Sequence, residues 1–202
     1  MQRWSSGLRI VDLTIQLPLK SYLRSPLSGT HLCAPAYAFK GRKTIEQLTP
    51  DAFVTDAVLL DLTRKRPGEA IDDEDMEAAE EDAGLAVREG EAVVLHVSSQ
   101  AERRASGKHA FLSENGAQYF EFKRVGMVGI DAVCLGAIPG RSPTHKILLQ
   151  SNIPVLEGLC NLDQIDAARF KLIALPLRVN APVSPVRALA ILEDSAAISG
   201  VG

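Results

Sequence analysis

The chain has 202 residues, of which 46% are hydrophobic and 23% are charged, and its formal net charge is -3. This composition predicts one globular domain spanning residues 1–202, with a core that needs no disulfide or structural metal. The small excess of acidic residues argues against a nucleic-acid-binding protein that neutralises phosphates, and no apolar run approaches the roughly 20 residues of a membrane helix.

Aliphatic and β-branched residues cluster in short segments that predict strands. These segments are residues 8–13, 57–62, 91–97, 127–135, 171–179 and 187–192. The clearest helix is predicted over residues 72–83, where Asp72 caps the first turn, Asp75 completes a capping box and Gly84 ends the helix. The polar stretch 98–124 predicts a surface excursion whose last part, residues 113–124, forms a helix.

The three cysteines are odd in number and widely spaced, which is typical of reduced thiols in a cytoplasmic protein. The first residues, MQRWSSGLRIVDLTIQL, lack an apolar core followed by a cleavage site, so we expect no secretory signal. Cys134 and Cys160 each stand in an apolar run and are interpreted as structural.

Two segments carry residues that could hold a metal ion. In SGTHLCAPAY, His31 and Cys33 are two residues apart, so on a strand their side chains share one face. In THKILLQSNIPVLEGLCNL, Glu157 follows His145 by twelve residues, and the apolar stretch between them could return the carboxylate towards the imidazole. Taken alone, each pair is weak evidence for a metal site, because a histidine beside a buried structural cysteine, or a surface carboxylate, is the more common case.

Together, the two segments resemble the metal-dependent cyclase family, which includes bacterial kynurenine formamidase, isatin hydrolase and some polyketide cyclases. The family pattern His-x-Gly-Thr-His-x-Asp-x-Pro-x-His falls on residues 27–37, which read LSGTHLCAPAY. A family histidine followed twelve residues later by Glu, in a stretch like E-x-L-x-N-L, falls on His145 and on EGLCNL from Glu157.

The chain departs from this pattern at three positions. The family's first two histidines and its aspartate bind divalent metal, and its last histidine takes part in acid/base chemistry. Here Leu27 stands at the first histidine, Cys33 at the aspartate and Tyr37 at the last histidine. The resemblance therefore implies a changed metal site, formed by His31, Cys33, His145 and Glu157.

The remaining donor types are still suited to zinc, which accepts Cys, His and carboxylate ligands. Four protein ligands would saturate one ion, whereas leaving Glu157 out would keep one position open for water or substrate. Because thiolate is a soft ligand, we expect a single zinc ion rather than manganese or magnesium. Tyr37 is a poor general base, since a phenol has a reference pKa of about 10, but its hydroxyl can donate to an oxyanion. The alternative is that metal binding has been lost.

The resemblance implies an α/β fold with the family's layered β/β/α, swivelling-domain-like arrangement and a mixed sheet around the site. It also implies an arylformamidase-like hydrolase or cyclase that acts on the amide, lactam or lactone carbonyl of a small molecule. The family assembles as homodimers or higher homo-oligomers, and we expect the same here. The alternative function is a metal-free relative, either a binding protein or a cyclase/isomerase that works by pocket shape and hydrogen bonds.

Overall fold

The computed structural model describes residues 7–97, 109–137 and 142–193. Within these ranges the strands are β1 (Leu8–Asp12), β2 (His31–Cys33), β3 (Val54–Asp61), β4 (Ala70–Ile71), β5 (Ala92–His96), β6 (Phe111–Leu112), β7 (Met127–Ile130), β8 (Val155–Glu157), β9 (Arg169–Pro176) and β10 (Val183–Glu193). The helices are α1 (Leu19–Arg24), α2 (Asp73–Ala83), α3 (Glu114–Lys123) and α4 (Pro143–Gln150), and a 3-10 turn spans Pro35–Tyr37.

Seven strands form a closed, barrel-like mixed sheet. Their order is β10-β2-β8-β7-β5-β3-β9, and β9 pairs with β10 to close the ring. The eighth strand, β1, pairs with the last part of β10, beyond the residues that pair with β2. Within this sheet, the segment β3-β5-β7-β8 is parallel and the other pairings are antiparallel. Short β4 and β6 form a separate parallel pair.

Strand side chains alternate between two cores, as the two-residue period of a strand requires. One core fills the ring and includes Leu32 and Leu156. The other lies on the outer face, where Cys33 and Val155 belong to the same cluster as buried side chains of the helices, such as Leu148 of α4. The candidate site residues of β2 and β8 therefore face the helices and not the interior of the ring.

The predicted elements agree with the structure in place and type. All six predicted strands are present, and α2 begins after Asp72, whose carboxylate accepts from the Asp75 N–H, and ends at Gly84 in a left-handed conformation. The predicted C-terminal helix of the polar stretch is α3, whereas residues 98–108 of that stretch lie outside the described residues.

Four strand boundaries and two helices differ from the predictions. Strands β3 and β10 begin at Val54 and Val183, three and four residues before their predicted starts. Strand β7 ends at Ile130, because the chain then leaves the sheet in a run of bends. Strand β9 ends at Pro176. The helices α1 and α4 were not predicted. A mixed α/β fold with few helices is confirmed, while the layered, swivelling-domain-like arrangement stays a prediction.

Among the described residues, no helix combines the length and apolar character needed to cross a membrane.

Candidate metal centre

The pairing of β2 with β8 places the first part of the site. The two strands are antiparallel, and His31 lies directly opposite Glu157. Directly opposed residues project to the same face of a sheet, and so does Cys33, two residues after His31. All three side chains are buried, with exposed fractions of 3% or less. This confirms that residues 31 and 33 occupy one face of a strand.

The hydrogen bonds of His31 define which ring nitrogen carries its proton. Nδ1 lies 2.9 Å from the carbonyl oxygen of Gly29, which can only accept, so Nδ1 carries a proton. Nε2 lies 3.1 Å from Oε2 of Glu157. If the ring were neutral, the lone pair of Nε2 would face the carboxylate oxygen. Two electron-rich atoms this close require a proton or a metal cation between them, so Nε2 of His31 and Oε2 of Glu157 share one or the other. Donation of the other ring N–H to a carbonyl is typical of histidines that bind metals.

Helix α4 brings the second histidine to the other oxygen of the same carboxylate. Ser142 caps α4, and its hydroxyl oxygen lies 2.8 Å from Nδ1 of His145, which fixes the ring. Nε2 of His145 lies 3.1 Å from Oε1 of Glu157, but without the alignment of a hydrogen bond, and has no hydrogen-bond partner among the described residues. His145 is completely buried. Its Nε2 is therefore an orphaned buried nitrogen beside a carboxylate.

Glu157 is an ionised carboxylate at the centre of this arrangement. Burial by itself raises the pKa of Glu157, but its contacts with His145 and His31 outweigh burial and lower the pKa to about 2. Oε1 also accepts the backbone N–H of Leu135 at 2.5 Å. The bends that follow β7 thus have a function in the site, because they supply a donor that positions the carboxylate.

Two thiols lie within reach of the histidines and Glu157. The possible ligand atoms of His31, Cys33 and Glu157 all lie within 4.8 Å of one another, and so do those of Cys134, His145 and Glu157. Burial, followed by electrostatic interaction with Glu157 and with the neighbouring Cys134, raises the pKa of the Cys33 thiol well above its ordinary value. Because thiolate is the form that binds metal, a cation here would favour deprotonation of both cysteines.

Tyr37 lies at the edge of the cluster, on the 3-10 turn that follows β2. Its ring centroid is 5.7 Å from that of His145, with the planes tilted by 57°. The structure therefore brings together all five residues that were selected from the sequence: His31, Cys33, Tyr37, His145 and Glu157. Leu27, at the position of the family's first histidine, is 39% exposed.

The sequence analysis missed Cys134, which it interpreted as structural. The residue is buried within an apolar run, and a single cysteine in such a run carries no signal of ligation. His109 was left unassigned, and it donates from Nε2 to the carbonyl oxygen of Cys134 at 2.8 Å, which supports the segment that carries this thiol.

Gly158 was also missed, although it holds the two strand ends together at the site. Its φ is +71°, and a Cβ at this position would lie 2.4 Å from the carbonyl oxygen of Gly29, the acceptor for His31. Only glycine permits this backbone conformation together with this close approach. The close packing of Gly158 and Gly29 thus fixes both the histidine and the adjacent Glu157.

We expect Gly158→Ala to destabilise the protein by more than 2 kcal/mol, because the left-handed strain of about 1 kcal/mol adds to a steric clash with backbone. Gly84→Ala is the matched control, since Gly84 has a similar φ of +64° and open space around it. The control should lose only about 1 kcal/mol in urea denaturation. Equal losses in the two variants would contradict the role of the close approach.

Comparison with known proteins identifies the family. The family model described as "Putative cyclase" matches residues 11–137, more than half of the chain. The chain belongs to the cyclase family. It is 29% identical over 197 residues to a kynurenine formamidase of Salinibacter ruber, covering 96% of this chain and 88% of that protein. It is 28% identical over 195 residues to an isatin hydrolase of Roseibium aggregatum, covering 83% of this chain and 72% of that protein.

Solved structures agree on the fold. Isatin hydrolase A from Labrenzia aggregata, bound to benzyl benzoate, superposes with a TM-score of 0.76 at 22% identity and covers 94% of this cyclase-family chain and 95% of its own. A structure described as a potential metal-dependent hydrolase with cyclase activity gives a TM-score of 0.72 at 24% identity, covering 91% of this chain and 98% of its own. The closed mixed sheet is thus shared with other proteins of this type.

Proposed function

We propose that this cyclase-family chain is a metal-dependent hydrolase, similar to arylformamidases, that opens an amide, lactam or lactone carbonyl of a small molecule. One observation carries the proposal: two histidine Nε2 atoms lie 3.1 Å from opposite oxygens of the ionised, buried Glu157. Its sequence relatives include a kynurenine formamidase and an isatin hydrolase. These names indicate the chemistry of the relatives, and the site supports a related chemistry here.

The residues present fit a divalent ion. Nε2 of His31 lies 3.1 Å from Oε2 of Glu157 while its other nitrogen donates to Gly29, and Nε2 of His145 is buried and lacks a hydrogen-bond partner among the described residues. The donor set of imidazole, thiol and carboxylate includes soft sulfur, so we expect zinc in preference to manganese or magnesium. His31, Cys33, His145 and Glu157 are the proposed ligands, of which at most three would bind any one ion, since catalysis needs an open position for water or substrate.

A bound divalent ion would supply Lewis-acid chemistry, by polarising a carbonyl and activating water near neutral pH. The protein would contribute orientation and exclusion of solvent, because the donor side chains are nearly fully buried. We assign to the Tyr37 hydroxyl the donation of a hydrogen bond to the oxyanion that develops on the substrate carbonyl. Its position beside His145 places the phenol next to the proposed ligands.

Further features are part of the same proposal. We infer that the chain acts in the cytoplasm, because its three cysteines include no disulfide among the residues that the structure describes. We also infer that it forms a homodimer or a higher homo-oligomer, as its family does, with the sheet in the family's layered β/β/α arrangement. The substrate would be a small molecule, and neither nucleic acid nor membrane is an expected partner.

The decisive experiment measures metal and hydrolysis on the same sample. Protein purified without chelator or a nickel column is dialysed against zinc and then against buffer, and its metal content is determined by mass spectrometry. We expect at least one zinc per chain, and zinc-dependent opening of a substrate from a panel that contains an aryl formamide, a lactam and a lactone. Protein that retains no zinc and opens no substrate would contradict the proposal and favour the metal-free binding protein or isomerase.

A further inference from the structure

The possible ligands do not form one cluster but two groups of three that share Glu157. The first group contains His31 and Cys33, and the second contains His145 and Cys134. The two histidines approach different oxygens of the carboxylate, since His31 faces Oε2 and His145 faces Oε1. Each group thus offers one nitrogen, one sulfur and one carboxylate oxygen.

We propose that Cys134 is a metal ligand, which holds a second metal position together with His145 and Glu157, next to a first position at His31, Cys33 and Glu157. This inference rests on the proposed metal-dependent function. It assigns to Cys134 a role that neither the family resemblance nor the sequence indicates. It also assigns to Glu157 the task of bridging the two positions.

Geometry and burial support Cys134 as a ligand. Its exposed fraction is 2% and that of His145 is 0%, so the pair would bind an ion away from bulk water. The segment is anchored on both sides of the cysteine, by the Leu135 N–H that donates to Glu157 and by the His109 ring that donates to the Cys134 carbonyl. A ligand held in place by neighbouring hydrogen bonds is typical of metal sites.

The choice of Glu157 as the bridge follows from the chemistry of residue 33. A cysteine at this position lacks the two oxygens with which a carboxylate can span two ions. Glu157 has both oxygens, and each already faces one histidine at 3.1 Å. The single ion expected from the sequence alone did not take Cys134 into account, and adding this ligand completes a second set of three donors.

Two thiolates make the whole site softer than a site of histidines and carboxylates. Soft ligands favour zinc, cadmium and cobalt over magnesium or manganese. The test therefore uses Co²⁺, because a thiolate bound to cobalt gives an intense near-ultraviolet charge-transfer absorption that imidazole and carboxylate do not. Wild type, Cys134→Ser, Cys33→Ser and Cys160→Ser are titrated with Co²⁺ and their absorption is recorded, and zinc per chain is measured in parallel.

The chain offers its own matched control. Cys160 is partly exposed and belongs to neither group of ligands, so Cys160→Ser should keep the wild-type absorption and two ions per chain. Cys134→Ser and Cys33→Ser should each lose about half of the absorption and one of the two ions. Cys134→Asp keeps an anionic ligand, so it should lose half of the absorption while retaining more metal than Cys134→Ser.

The outcomes separate this inference from the proposed function. Metal binding with undiminished charge-transfer absorption in Cys134→Ser and Cys134→Asp would overturn the role of Cys134 and leave the hydrolase proposal standing. A wild-type chain that binds only one ion would overturn the bridging role of Glu157 and would also leave the hydrolase proposal standing. A wild-type chain that binds neither zinc nor cobalt would overturn the proposed function itself.

Discussion

Glu157→Gln is expected to abolish the thermal stabilisation that zinc gives to the wild-type protein. A ligand present at a thousand times its dissociation constant stabilises the folded state by about 4 kcal/mol. For a chain of this size, each kcal/mol shifts the melting temperature by about 2–4 °C, so the zinc-induced shift should be about 8–16 °C in the wild type. An uncharged amide at position 157 removes the anion that both histidines face, and the shift should fall to nearly zero.

The measurement compares melting temperatures with zinc and with chelator for each variant, so that differences in basal stability cancel. Glu80→Gln is the control, because Glu80 is also buried but its carboxylate binds Tyr119 and Lys123 and belongs to neither group of possible ligands. Glu80→Gln should retain the full zinc-induced shift. A Glu157→Gln variant that responds to zinc as the wild type does would show that the ion binds elsewhere.

The strands could be predicted because their patterns are local. The run AVVLH of β5 is buried along nearly its whole length, as expected for a strand in the parallel part of a sheet. The closure of the sheet into a ring could not be predicted, because it depends on pairing between β9 and β10 and between β3 and β9. The β3–β9 pairing joins residues more than 100 positions apart, such as Val58 and Arg169, and no local pattern specifies it.

The site residues could be selected only in combination. His31 and Glu157 are separated by 126 positions, and the antiparallel pairing of β2 with β8 brings them into direct register. The family resemblance linked the two segments before the structure did. Cys134 had no counterpart in that resemblance, and its position depends on where β7 ends and how the following bends run. Backbone geometry of this kind is not visible in the composition of a segment.

The short helix α4 shows why local propensity was insufficient near the site. Its sequence, PTHKILLQ, has proline at the first position and a serine cap at Ser142, which are start signals for a helix. The segment is only eight residues long, so its stability comes from packing of Leu148 and Leu149 against the outer core. That packing is tertiary, and it is also what directs His145 towards Glu157.

Hydrolysis of N-formylkynurenine by the wild-type chain is expected to be at least about 100-fold slower than by relatives that keep the full family pattern. Acid/base catalysis by a positioned histidine contributes about 10²–10⁴-fold, and the Tyr37 phenol cannot act as a base near pH 7. Leu27 offers no ligand at all, and Cys33 replaces a carboxylate. The assay follows release of kynurenine with zinc or manganese added, for the wild type and for a relative with the full pattern.

Restoring the pattern tests the cause of this loss. The triple variant Leu27→His, Cys33→Asp, Tyr37→His should bind metal with higher affinity and hydrolyse N-formylkynurenine faster than the wild type, whereas each single change should do little for this hydrolysis, because residues that act as a unit are not additive. Leu23→His is the control for adding a histidine at an exposed leucine, since Leu23 is 78% exposed on α1. Rapid, metal-dependent turnover by the wild type would instead show that the ligands present at Glu157 are sufficient and that the family's missing histidines are dispensable for this substrate.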